Sequence, residues 1–208
     1  MSLAKALWEE NADLARAALE HRFVRGLKDG SLPLGNFQEY IGQDAFFLEA
    51  FARAYVLALA HSPDRENLRE FAELLSGVLE ELGLHGRYVT EWGVRLENVS
   101  PGAATLAYTD FLRATAALKS VGETCAAMTP CMRLYAFLGQ ELPKEERGDN
   151  NPYAEWIETY ADPEFEALAA RLEDLLDRHA QDGPTVRSHY RRAMTLELAF
   201  FEANAKVS

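Results

Sequence analysis

The chain has 208 residues, 48% of them hydrophobic, and carries 21 Lys and Arg against 33 Asp and Glu for a formal net charge of −12. That length and apolar content are enough for one well-buried core, and no composition break divides residues 1–208 into more than a single domain. Nucleic acid and anionic membranes would both be repelled at long range, which excludes them as expected partners and leaves a small neutral or cationic molecule.

From Ser2 to Lys28, the residues Leu3, Leu7, Leu14, Ala18, Phe23 and Leu27 keep mostly helical spacing, and Asp29-Gly30-Ser31 with Pro33 is a stop, so one first helix is predicted. A second helix is predicted from about Leu34 to Ala60. Its wide aromatic stripe runs through Phe37, Tyr40, Ile41, Phe47, Leu48, Phe51, Tyr55 and Leu59, with Asp44 in the middle. Ser62-Pro63-Asp64 breaks the chain, and Leu68, Phe71, Leu75, Leu79, Leu82, His85, Tyr88 and Trp92 mark a long amphipathic helix. Gly77, Gly83 and Gly86 each weaken that helix by ~1 kcal/mol relative to Ala, which makes a bend near 83–86 an expectation.

Asn98-Val99-Ser100-Pro101-Gly102 is the next turn, followed by a helix holding Leu106, Tyr108, Phe111 and Leu112. After Lys119-Ser120-Val121-Gly122 a helical region runs to Leu138-Gly139, in which Pro130 either kinks one helix or starts another. Glu145 to Asn151 is polar and closes with Asn-Pro, a loop signal. Tyr153 to Tyr160 reads as a short helix, and Asp162-Pro163-Glu164 places an N-cap aspartate before a first-turn proline of a helix to about Gln181. Gly183-Pro184 ends that turn, and a last helix is predicted from about Val186 to Ala205. Strand alternation appears nowhere, so the predicted fold class is all-α, a single-domain helical bundle. No apolar run approaches the roughly 18 residues of a membrane span, and Met1-Ser2-Leu3-Ala4-Lys5 is amphipathic rather than signal-like, so a cytoplasmic protein is expected.

Ala127 to Tyr135 carries the first chemical signal. On a helix, Cys131 and Tyr135 lie roughly 40° apart around the axis and share a face, so a thiol and a phenol point into one space. A cysteine attacks only as thiolate and needs a donor, a cation or a helix N-terminus to lower its pKa; if Pro130 opens a helix, Cys131 sits among first-turn amides. Free cysteine is otherwise a small, inert, buried hydrophobe. Cys125 and Cys131 have neither C-x-x-C nor zinc spacing and fall on different faces, so two free thiols are expected.

Two carboxylates interrupt apolar runs. Glu197, within Leu196-Glu197-Leu198-Ala199-Phe200-Phe201, either faces inward, where desolvation raises its pKa and suits it to proton transfer, or lies on a solvent stripe. Asp44 has Tyr40, Phe47, Leu48 and Phe51 as helical neighbours and no basic residue near it in sequence, which favours a binding role. Glu81 and His85 at i, i+4 read as a helix-surface or supporting pair; the histidines are too few and scattered for a metal site to be expected.

With these residues in order, the chain resembles the thiaminase II (TenA) family of haem-oxygenase-like helical folds. The resemblance runs from Gln43-Asp44-Ala45-Phe46-Phe47-Leu48 through Ala107-Tyr108-Thr109-Asp110-Phe111-Leu112 and Pro130-Cys131-Met132-Arg133-Leu134-Tyr135. It continues through Asn151 to Tyr160 and ends at Glu197-Leu198-Ala199-Phe200-Phe201. It implies Cys131 as nucleophile, Glu197 as acid/base, and Asp44 as the carboxylate that grips an aminopyrimidine. Tyr108, Tyr135 and Tyr160 become pocket tyrosines, and Phe200 a ring lining the pyrimidine site. Possession of Cys131 places the chain in the cysteine-containing branch, and Phe47 stands where a tyrosine is expected. The implied activity is hydrolysis of aminomethylpyrimidine, and of thiamin, to hydroxymethylpyrimidine for salvage, by a homotetramer with no cofactor. Two rivals are a ligand-binding or regulatory protein of the same fold, disfavoured by Cys131 with Glu197 and Asp44, and a metal-dependent oxygenase on the same scaffold, disfavoured by the shortage of histidines.

Overall fold

A computed structural model describes residues 1–92, 99–142 and 151–205, with side-chain surroundings for all of these except 84–92. Regular structure among the described residues is entirely helical, as the periodicity predicts. The predicted loop from Glu145, and the side chains of His85, Tyr88, Trp92 and Asn98, lie outside the described residues.

The first predicted helix is instead three: α1 (Leu3–Glu10), α2 (Ala12–Leu19) and α3 (Arg22–Asp29). Asn11 leaves helical geometry at φ −107°, ψ 16°, and its buried side chain donates to the Leu7 carbonyl at 2.8 Å. His21 turns the backbone extended, and its Nδ1 accepts from the Phe23 N–H at 3.2 Å to start α3. Side chains that compete for backbone groups thus interrupt a stretch whose apolar spacing reads as continuous. Both α2 and α3 then pack on α10 (Pro184–Asn204), along a path that a straight rod could not follow.

α4 (Leu34–Ala60) packs against α5 (Arg65–Trp92) and α6 (Ala103–Leu118). α5 runs unbroken through 83–86 as a single helix, so the glycines there do not interrupt it. Gln43 serves the start of α6, whose N-cap is Gly102: its Oε1 accepts from the Gly102 N–H at 2.8 Å and from Thr105 Oγ1 at 2.5 Å. The next residue, Asp44, is thereby held in register on a fixed face of α4.

α7 (Val121–Glu141) lies against α6, α8 (Ala154–Ala161), α9 (Pro163–His179) and α10, and most of its residues from Gly122 to Gly139 are buried. Ser120 and Glu123 open it with a reciprocal capping box. Pro130 lies inside this helix. A proline there costs about 3 kcal/mol in an isolated helix, but packing on several sides outweighs that local preference. Near the end of α7, a Cβ added at Gly139 would overlap the Tyr160 carbonyl, so α8 sits directly on the backbone of α7. That approach brings Tyr160 beside Tyr135, with ring centroids 4.8 Å apart. Asp162 caps α9 as predicted, accepting from the Glu164 N–H at 2.7 Å. No helix among the described residues is long and apolar enough to cross a membrane.

Candidate active site

Side chains from five helices meet around a small, tightly filled cavity: Asp44, Phe47, Leu48 and Phe51 from α4, Glu81 from α5, Cys131, Met132 and Tyr135 from α7, Tyr160 from α8 and Phe165 from α9. Cys131 and Tyr135 share a face of α7, as their spacing predicts. Asp44 is buried in the aromatic stripe that surrounds it in the sequence. Glu197 on α10 is only 2% exposed, which removes the solvent-stripe alternative. Tyr108 Oη donates to Glu197 Oε1 at 2.7 Å, and this carboxyl group lies near enough to the Cys131 thiol for each to affect the other's ionisation.

The electrostatics of the cysteine reverse the expectation drawn from Pro130. Because α7 begins at Val121, Cys131 lies well inside it, away from the first-turn amides of its own helix. Burial pushes the thiol well above its usual value, and the Glu197, Glu81 and Asp44 carboxylates push it further. Burial likewise carries Glu197 up to about 8; Asp44 adds to the rise, while the hydrogen bonds from Tyr108 and Cys131 oppose it. The resting site therefore holds a protonated sulfur beside a carboxyl group that changes charge just above neutral pH. Such a pair can pass the thiol proton to Glu197 as sulfur bonds to an electrophile, so the thiolate need not exist beforehand.

A phenol network frames this pair. Tyr135 Oη lies 3.2 Å from Tyr40 Oη, Trp156 Nε1 donates to Tyr40 Oη at 3.3 Å, and Tyr160 Oη donates to Glu81 Oε1 at 2.6 Å. Tyr108 and Phe200 adjoin the cavity through Phe47, with ring centroids 4.8 Å and 6.1 Å from it. Cys125 is buried and free, and burial raises its thiol to about 12, so the two cysteines are free as expected.

Sequence reasoning missed Tyr40, Trp156 and the position of Glu81. The last is a correction: Glu81 is not confined to the helix surface, because it lines the cavity and accepts from Tyr160, while its pairing with His85 lies outside the described residues. The signal was available, since Leu74, Val78 and Glu81 follow i, i+4, i+7 spacing and the first two are core residues.

The helices form an all-α bundle with the haem-oxygenase-like fold. The crystal structure of haem oxygenase-1 from Synechocystis sp. PCC6803 in complex with haem shares that fold, with a TM-score of 0.60 over 98% of this chain and 92% of that one at 17% identity. The TENA/THI-4/PQQC family model matches residues 8–205, and the chain belongs to that family. The TenA homologue protein from P. horikoshii OT3 superposes with a TM-score of 0.90 at 26% identity, covering 98% of both chains. The aminopyrimidine aminohydrolase of Halalkalibacterium halodurans is 35% identical over 87% of this chain and 83% of its own length. The bifunctional TH2 protein, mitochondrial, of Arabidopsis thaliana is 37% identical over 87% of this chain but 34% of its own, so the chain spans about a third of that relative.

Proposed function

We propose that the protein is an aminopyrimidine aminohydrolase of the thiaminase II type, hydrolysing aminomethylpyrimidine, and also thiamin, to hydroxymethylpyrimidine for thiamin salvage. The observation that carries this reading is a buried thiol, Cys131, at a cavity that also holds Asp44, with the buried Glu197 carboxyl group nearby and held by Tyr108. Similarity to a relative named as an aminopyrimidine aminohydrolase supports it.

Sulfur adds to the ring carbon adjacent to the one bearing the methylene, while its proton passes to Glu197. The ring, now electron-rich, expels the amine or thiazole from the methylene, and Glu197 supplies a proton to the departing group where it needs one. Asp44 holds the amino-amidine edge by charge-assisted hydrogen bonds throughout. Water adds to the exposed methylene and gives up a proton to Glu197, after which the sulfur–carbon bond breaks and the sulfur recovers a proton. The net change is one water consumed and one amine or thiazole released for each hydroxymethylpyrimidine formed. Protein incubated separately with aminomethylpyrimidine and with thiamin is expected to release hydroxymethylpyrimidine from both; release from neither would overturn the reading. The proposal includes a cytoplasmic homotetramer. Exposed Val56, Leu68, Leu79 and Leu106 offer apolar surface for such an assembly, and sedimentation would measure it.

A further inference from the structure

Glu81, Met132 and Phe165 line two spaces at once: the cavity around Cys131, and a larger open groove of about 1000 Å³, open solvent included, bordered by α5, α8 and α9. Whatever leaves the cavity by this route passes those three side chains. The groove wall also presents Glu80, Glu155, Asp162 and Glu164, and among the described residues that line it none is Lys, Arg or His. Only a cation or a neutral molecule would be drawn along it.

Glu81 differs from the other four acids in position. Its Oε1 accepts from Tyr160 Oη at 2.6 Å, and Tyr160 packs at 4.8 Å from Tyr135 and 5.0 Å from Phe165, both of them cavity residues. The carboxylate is thus tied to the inner end of the groove. Its charge also reaches the sulfur, ranking after burial and Glu197 among the influences that hold the Cys131 thiol protonated.

The proposed substrates share a feature that the product lacks. In aminomethylpyrimidine the methylene carries an ammonium, and in thiamin it carries a quaternised azolium. In hydroxymethylpyrimidine it carries a neutral hydroxyl. We infer that Glu81 is the residue that selects the leaving group, binding the cationic half of the substrate where cavity and groove join and having no charge to hold once the product has formed. The inference rests on the hydrolase reading and adds to it a physical basis for preferring substrate over product. A hydrogen bond or ion pair to a charged group corresponds to roughly 10- to 100-fold in affinity.

The test uses equilibrium binding to the Cys131→Ser protein, which does not consume its ligands. Calorimetric titration with aminomethylpyrimidine and with hydroxymethylpyrimidine, with and without Glu81→Gln, separates charge from shape. Glu81→Gln, which can still accept from Tyr160, should weaken the cation by roughly 10- to 100-fold and the neutral compound by less than about twofold. Equal loss of both ligands, or loss of neither, overturns the role of Glu81. With Glu81 intact, the same protein must prefer the cation by about tenfold or more, and a preference near unity is fatal even if the Gln variant does not fold. Turnover by the unsubstituted protein is assayed alongside. Its absence would count against the hydrolase reading itself, whereas turnover with undiscriminating binding would count against Glu81 alone.

Discussion

Cys131 and Arg133 are near neighbours on α7 that face different surroundings. Arg133 is 13% exposed and its charge is fully answered: Nε and Nη2 fork onto Glu173 at 2.9 Å and 2.6 Å, and Nη1 reaches both oxygens of Glu166 at 2.8 Å and 2.9 Å. On the Cys131 side, Asp44 and Glu81 line the cavity, Glu197 is near enough to raise the thiol's pKa, and no Lys or Arg is among the described residues that line that cavity. One side of the helix meets its single cation with two carboxylates through paired hydrogen bonds, as a structural network does. The other gathers three carboxyl groups around a thiol, with phenol hydrogen bonds from Tyr108 to Glu197 and from Tyr160 to Glu81. The difference marks where a ligand is expected without reference to any relative.

The largest expected effect falls on the acidic side. Cys131→Ser keeps the shape but not the acidity of the thiol, and should lower turnover on the order of 10³-fold or more while leaving circular dichroism and thermal unfolding close to the parent. Activity within about tenfold of the parent would remove Cys131 as nucleophile.

Glu197→Gln should lower kcat by about 10²–10⁴-fold, and it should also abolish a pH dependence. In the parent, kcat/KM is expected to rise with pH until Glu197 has lost its proton near pH 8. Stability moves the other way. Below the ordinary carboxyl value of about 4.3, Glu197 is protonated in both folded and unfolded chains, and its burial carries no ionisation penalty. Between that value and about 8 the unfolded chain ionises freely while the folded one keeps its proton, so the parent loses about 1.4 kcal/mol per pH unit relative to the Gln variant. From pH 5 to pH 8 the Gln variant should therefore gain on the order of 3 kcal/mol over the parent, or roughly 6–12 °C in Tm. Parallel melting curves at the two pH values would break the comparison.

Arg133→Met tests the balanced side. It leaves Glu166 and Glu173 without their cation and should cost about 2–3 kcal/mol by urea denaturation, below the ~3–5 kcal/mol of a fully buried pair because Glu166 is 38% exposed. The folded fraction should retain activity within about twofold, since Arg133 bonds to Glu166 and Glu173 and does not line the cavity.

Phe47→Tyr sharpens the acidic side. A hydroxyl on this cavity residue can hydrogen-bond to a neighbouring phenol or carboxylate, and a single such bond should raise kcat/KM on aminomethylpyrimidine roughly tenfold. A fall would show a pocket closed around the bare ring. Smallest of all is Cys125→Ser, expected to change turnover by less than about twofold, because this thiol is fully buried and does not line the cavity.

Much of the site was legible from residue types alone. Asp44 announced itself by lying in an aromatic stripe without a cation nearby in sequence, and Cys131 with Tyr135 by their shared helical face. Glu197 left two orientations open, and Glu81 was misplaced because pairing it with His85 drew attention away from Leu74 and Val78 on the same face. The three short helices in place of one were hidden because apolar spacing continues through Asn11 and His21 while their side chains do not let the backbone follow.

By itself the sequence determined the all-α class, the helix start at Asp162-Pro163 and the residues that share a face, since helical periodicity and capping act within a few positions along the chain. Only the tertiary structure decided that Pro130 lies within α7, that Glu197 is buried against Tyr108, and that Glu81 meets Tyr160 beside Cys131. It also decided the protonation of the site. Whether a thiol or carboxyl group ionises depends on the water removed from it and the charges brought near it, and here both come from helices far apart in the chain.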